Sequence, residues 1–146
     1  MTNEDPNSSA QTPETASLRD QLTPLLADLF YPSESDEPVG FVTCYLKQAE
    51  PLTVSQVKDW LMLPPAVYVE ERPETDFWEP VVTEQDWYSE EEKARTGRFQ
   101  QLKQLLEAQL TVRQVFYAGE TEIDVYLLGR TPAGDRAGLK TRIVQT

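Results

Sequence analysis

The stretch TEIDVYLLGRTPAGDRAGLKTRIV, Thr121–Val144, carries the pattern on which the fold turns. Ile123, Val125 and Leu127 alternate with Asp124 and Tyr126, the period-two spacing of a strand with one face on a core. Pro132 and Gly134 then stand at positions i+1 and i+3 of a turn, and LKTRIV resumes as a strand. The sub-stretch GDRAGLKT, Gly134–Thr141, invites a phosphate-loop reading. That motif needs Gly-Lys-Ser/Thr contiguous, and Leu139 interrupts it, so a hairpin is the better reading. RQVFYAG, starting at Arg113, adds a preceding strand and makes a three-stranded meander.

Upstream, the pattern is helical from about Asp86 to Leu110, where Phe99, Leu102, Leu105, Leu106 and Leu110 form one stripe. Asp86 is the expected N-cap, and Gly97 leaves open whether there is one helix or two. TVSQVKDWL carries a capping box, Thr53 with Gln56, and puts Val57, Trp60 and Leu61 on one face of a short helix. Pro64-Pro65 ends it, AVYVE (Ala66–Glu70) reads as a strand, and a long acidic connection runs on through Trp78 to Thr83. VGFVTCYLK, from Val39, is β-rich, and YPSESDEP before it is a loop. Leu18, Leu22, Leu25, Leu26 and Leu29 recur at helical spacing, with Pro24 either kinking that helix or, with Thr23, beginning it. The order αβαβαβββ predicts an α/β or α+β domain over residues 17–146, its helices packed on a largely antiparallel sheet. Residues 1–16 are polar, acidic and broken by proline, and read as a disordered tail.

Composition narrows the function. The chain of 146 residues has one cysteine and no histidine. An internal disulfide, a Cys/His zinc site and every histidine-based acid–base mechanism are therefore excluded. No run approaches 18 apolar residues, and the N-terminus lacks the basic and apolar regions of a secretory signal, so cytoplasmic residence is expected. The net charge of −12 is uneven. Residues 70–92 hold ten acids against Arg72 alone, whereas 93–146 hold nine bases and five acids. Such a surface repels nucleic acid and attracts a basic protein, although solubility alone also accounts for acidity.

Individual candidates mostly have plain readings. Cys44 lies in an apolar strand as an inert thiol. Glu90, Glu91 and Glu92 are consecutive, point in different directions and suit the positive end of a helix dipole better than a catalytic pair. Glu34 in SESDE is by default a solvated acid. Thr146 ends the chain close behind Ile143-Val144 and offers a hydroxyl and a carboxylate, hard-oxygen ligands for Mg²⁺. Trp87, inside TEQDWYSEEEK, either staples against the domain or stands exposed as a binding anchor ringed by charge.

TEQDWYSEEEK, GETEIDVYLLGRTPAGDRAGLKTRIVQT and LFYPSES together resemble the nuclease A inhibitor family, small bacterial proteins that block a sugar-nonspecific ββα-metal endonuclease. The resemblance is densest over 83–146, weaker over 17–48 and poor over 49–82. It implies a three-layer α/β/α sandwich. It further implies that Glu34 meets nuclease arginines, that Asp86 and Trp87 form an acid–aromatic pair at the same interface, and that Thr146 reaches the nuclease's catalytic divalent ion. The expected protein is thus a non-enzymatic inhibitor, monomeric when free, binding one nuclease. It has no cofactor of its own, sharing Mg²⁺ or a similar ion with its target. Gln145 stands where an acid is expected. An acidic module that binds another basic protein without a metal is the alternative, and an acid-based hydrolase is a remote third.

Overall fold

The computed structural model describes residues 13–145. Four helices and seven strands follow in the order α1 (Pro13–Leu26), β1 (Phe30–Tyr31), β2 (Glu37–Pro38), β3 (Gly40–Cys44), α2 (Val54–Leu61), β4 (Val69–Arg72), α3 (Glu74–Val82), α4 (Glu90–Gln109), β5 (Thr111–Ala118), β6 (Glu122–Arg130) and β7 (Arg136–Val144). The fold is mixed α+β. A five-stranded sheet has the order β3-β7-β6-β5-β4 with every neighbour antiparallel, and β1 pairs with β2 in a separate ribbon.

The expected meander is this sheet's centre. β6 pairs with β7 from Glu122↔Val144 through Arg130↔Arg136, and with β5 on its other side. The turn between β6 and β7 closes with Gly134 N donating to Thr131 O at 2.9 Å, inside a wider Thr131 N to Asp135 O bond of 2.8 Å. Gly134 has a φ of 96°, a left-handed value that glycine reaches without a Cβ clash.

Alternation sends successive side chains to opposite faces. Val125 and Leu127, with Val115 and Leu139, pack against Leu18 and Leu22 of α1, Phe77 and Trp78 of α3, and Phe99, Leu102 and Leu106 of α4. On the other face Leu128, Phe116 and Cys44 gather with Val57 of α2, where Trp60 sets its ring edge-on to Tyr126 at 5.4 Å. Helical surface thus covers both faces of the sheet. The Cys44 thiol is buried, and that burial pushes its pKa up, away from the reactive thiolate.

Several expectations need correction. The acidic connection up to Thr83 contains the helix α3, with Phe77, Trp78 and Val81 buried. Its apolar residues are a compact inner face, and part of its acid serves structure. Glu74 accepts from Trp78 Nε1 at 2.9 Å, and both of its carboxylate oxygens accept from Arg113 Nε at 3.1 Å. α1 begins at Pro13, so residues 13–16 are helical, while the rest of the expected tail, 1–12, lies outside the described residues. Pro24 does not begin α1 but lies inside it, two residues before its last residue, Leu26. Gly97 does not divide α4, which runs unbroken for 20 residues.

Gly138 is where β6 and β7 approach too closely for a side chain. A Cβ there would stand 1.8 Å from the Leu127 carbonyl oxygen. Gly138→Ala should therefore lower the unfolding free energy by about 1–3 kcal/mol, the usual cost of overpacking, read as a reduced urea midpoint. An unchanged midpoint would mean that the central pairing gives way freely.

Candidate functional site

The loop 32–36 is short, and its hydroxyls define its shape. Ser33 Oγ donates to the Ser35 carbonyl at 2.7 Å and accepts from Ser35 N at 3.3 Å. The same oxygen accepts from Val144 N at 3.0 Å, while Glu34 N donates to Val144 O at 3.2 Å. The loop thereby extends the end of β7 across a separation of 111 residues. Ser35 Oγ donates to Glu37 at 2.6 Å, and Thr141 Oγ1 donates to the Pro38 carbonyl at 3.0 Å, fixing the returning side. Glu34 is exposed on this clamp. The last described residue, Gln145, is tied by its own N–H to Thr121 O at 2.8 Å. Thr146, the next residue, lies outside the described residues.

Asp86 and Trp87 lie elsewhere, in the turn between α3 and α4 that closes with Tyr88 N donating to Gln85 O at 3.1 Å. Asp86 is not the N-cap of α4. Ser89 is, through a capping box in which Glu92 N donates to Ser89 Oγ at 3.2 Å and Ser89 N donates to Glu92 Oε1 at 2.9 Å. Two otherwise orphaned donors are satisfied reciprocally, which a lone aspartate three residues earlier does not achieve. The N–H bond from the Ser89 backbone also holds the Glu92 carboxyl below its ordinary pKa. Glu90 and Glu91 fill the first turn, the place that the helix dipole favours for acid.

Moving the cap to Ser89 releases Trp87 from the helix. Its side chain is 76% exposed, touching Tyr88 edge-on at a ring separation of 6.0 Å. The ring is therefore exposed and not stapled against the domain. Glu79, Glu84, Asp86, Glu90 and Glu91 in the surrounding segment are all exposed. None of these five forms an ion pair among the described residues. The turn thus presents a large aromatic surrounded by acids that no ion pair among the described residues neutralises.

The sequence reading missed a third feature. Tyr31 stacks on Phe77 with ring centroids 5.0 Å apart, and its hydroxyl donates to the Phe77 carbonyl at 2.6 Å. Burial pushes that hydroxyl's pKa far up. This contact draws α3 against the Glu34 loop and leaves an open cavity of about 230 Å³ between Pro32, Pro80 and Gln145. At its edge Arg72 lies 4.8 Å over the Tyr117 ring and 3.3 Å from Asp76. The one sequence signal was Arg72 itself, the sole base among ten acids. Among the described residues no group of three or more His, Cys, Asp or Glu side chains is placed to hold a metal ion. No described helix is long and apolar enough to cross a membrane.

The model of a family described as NuiA, Nuclease A inhibitor-like protein, matches residues 16–146 of the chain. No curated protein matches it.

Two substitutions separate support from display. Ser89→Ala should cost about 1 kcal/mol of stability, the usual value of a lost N-cap. Trp87→Ala should change stability by no more than about 0.5 kcal/mol, as at other exposed positions. Denaturant titration checks both, and a larger loss for Trp87→Ala would mean that its ring supports the fold.

Proposed function

Because the chain belongs to the nuclease A inhibitor-like family, we propose that it inhibits a sugar-nonspecific, metal-dependent endonuclease by occupying the active site as a protein ligand. The observation that carries this reading is Trp87, 76% exposed amid acids that form no ion pair among the described residues. An enzyme that cleaves nucleic acid regardless of sequence grips phosphates with arginines and a metal. Exposed carboxylates on a rigid protein suit such a cleft, and the opposed fields speed encounter.

In this mechanism Glu34 and Asp86 place carboxylates against nuclease arginines where phosphates otherwise bind. The Ser33 clamp on Val144 holds Glu34, so little ordering cost falls on association. Trp87 excludes water around the charged contacts, which strengthens them. Thr146 follows Gln145 at the end of β7 and brings a hydroxyl and a carboxylate to the nuclease's divalent ion, Mg²⁺ or a similar metal. The inhibitor turns over no substrate and brings no metal of its own. It is monomeric when free, pairs one-to-one with the nuclease, and acts in the cytoplasm before the enzyme is exported.

The excess of acid over residues 70–92 favours one alternative, an acidic module that binds a basic protein by charge with no metal bridge. Thr146 separates the two. Plasmid degradation by the producing cell's ββα-metal endonuclease, with Mg²⁺ present, should be blocked stoichiometrically by the full chain and poorly by a chain lacking Thr146. Equal inhibition by both would remove the metal bridge and leave the charge-only module. Glu34→Ala and Trp87→Ala should each weaken inhibition by at least ~1 kcal/mol, roughly fivefold. If neither does, the assigned contacts are wrong.

A further inference from the structure

We infer that the cavity between the Glu34 loop, α3 and the end of β7 receives one large uncharged side chain, aromatic or aliphatic, from the bound nuclease. The inference rests on the inhibitor reading above and adds to it an apolar anchor that the charged contacts lack.

Position is the first argument. Pro32 stands two residues before Glu34, and Gln145 immediately before Thr146. Pro80 belongs to α3, whose C-terminus leads into the Trp87 turn. Three segments far apart in sequence, two next to a proposed contact and one leading to the Trp87 turn, thus converge on one depression. A surface laid across Glu34 and the end of β7 cannot avoid covering it.

Chemistry is the second. Ile123 and Ile143 supply aliphatic wall, and Tyr117 supplies an aromatic one. The two charged groups and the Tyr31 hydroxyl already have partners. Arg72 is paired with Asp76 at 3.3 Å and lies over the Tyr117 ring, and the Tyr31 hydroxyl is committed to the Phe77 carbonyl. A charged occupant would lose its hydration at a lining where Arg72 and Asp76 already offset each other, whereas an apolar one has no hydration to lose. Size agrees: an enclosed apolar cavity of roughly 150 Å³ holds a benzene ring, and this open one measures about 230 Å³. Interfaces commonly join such a pocketed anchor to a polar, charged rim, and here Glu34 and Asp86 would be that rim.

The test introduces a polar amide into the cavity from two sides. Pro80 is exposed inside a helix, so Pro80→Gln should keep or improve folding. Ile143→Gln acts from the sheet, with its thermal midpoint measured as a folding control. Each variant is titrated against the same endonuclease on plasmid with Mg²⁺, beside Glu34→Ala and Asp59→Asn, the latter exposed on α2 across the sheet. Pro80→Gln and Ile143→Gln should raise the inhibition constant roughly tenfold or more, and Asp59→Asn should leave it unchanged. If Glu34→Ala weakens inhibition while Pro80→Gln stays within about twofold of the wild type, the cavity is empty in the complex. That result overturns this inference and leaves the inhibitor reading standing. If the wild-type chain fails to inhibit, the functional reading falls and this inference with it. Should Ile143→Gln fail to fold, Pro80→Gln alone decides.

Discussion

Everything placed at the candidate surface depends on the register between β6 and β7. Nine consecutive residue pairs, from Glu122↔Val144 to Arg130↔Arg136, set which side chains of the central strands meet α1, α3 and α4 and which meet α2. A slip of one residue would turn Leu127 and Val125 toward the wrong helices. The same register determines where β7 ends, and therefore where Ser33 finds Val144 and where Gln145 finds Thr121. The close approach at Gly138 leaves little room for any other alignment.

That register also explains why the surface can be both acidic and well ordered. Repulsion among acids opposes compaction, and the chain meets it by dividing its carboxylates between two tasks. Glu74, Asp76, Glu107, Glu122 and Asp124 pair with cations of the chain itself. Glu79, Glu84, Asp86, Glu90 and Glu91 around Trp87 form no such pair among the described residues, and they sit where a sharp turn and a capped helix start hold the backbone. Most exposed pairs contribute little to stability, so leaving these acids unpaired costs the fold little. The gain is a concentrated field at one place, the condition for steering a cationic partner.

What could be read from the sequence follows the range of the interactions. The meander, the turn at Pro132-Gly134 and the Thr53–Gln56 capping box rest on neighbours a few residues apart, and all three formed as expected. α3 went unread because its acids mask a buried face of only three residues. Asp86 has a capping side chain just before the apolar stripe, but the reciprocal Ser89–Glu92 pair satisfies two donors and starts the helix three residues later. The contact roles given to Glu34 and Trp87 come from the family resemblance and belong to the proposed function. The clamp that holds Glu34 and the cavity beside it arise from contacts 111 and 46 residues apart, which no local pattern encodes.

The distribution of the three tryptophans has an optical consequence. Trp78 is 1% exposed with its indole N–H bound to Glu74, Trp60 is half-buried against Tyr126, and Trp87 is 76% exposed. The three indoles thus sit in media of very different polarity and relaxation. A dissolved quencher such as acrylamide reaches one of them freely and another hardly at all. The chain therefore carries an intrinsic fluorophore at its most exposed aromatic position, with an internal reference in the core. Any event at that turn is visible in emission wavelength and quenching without a label.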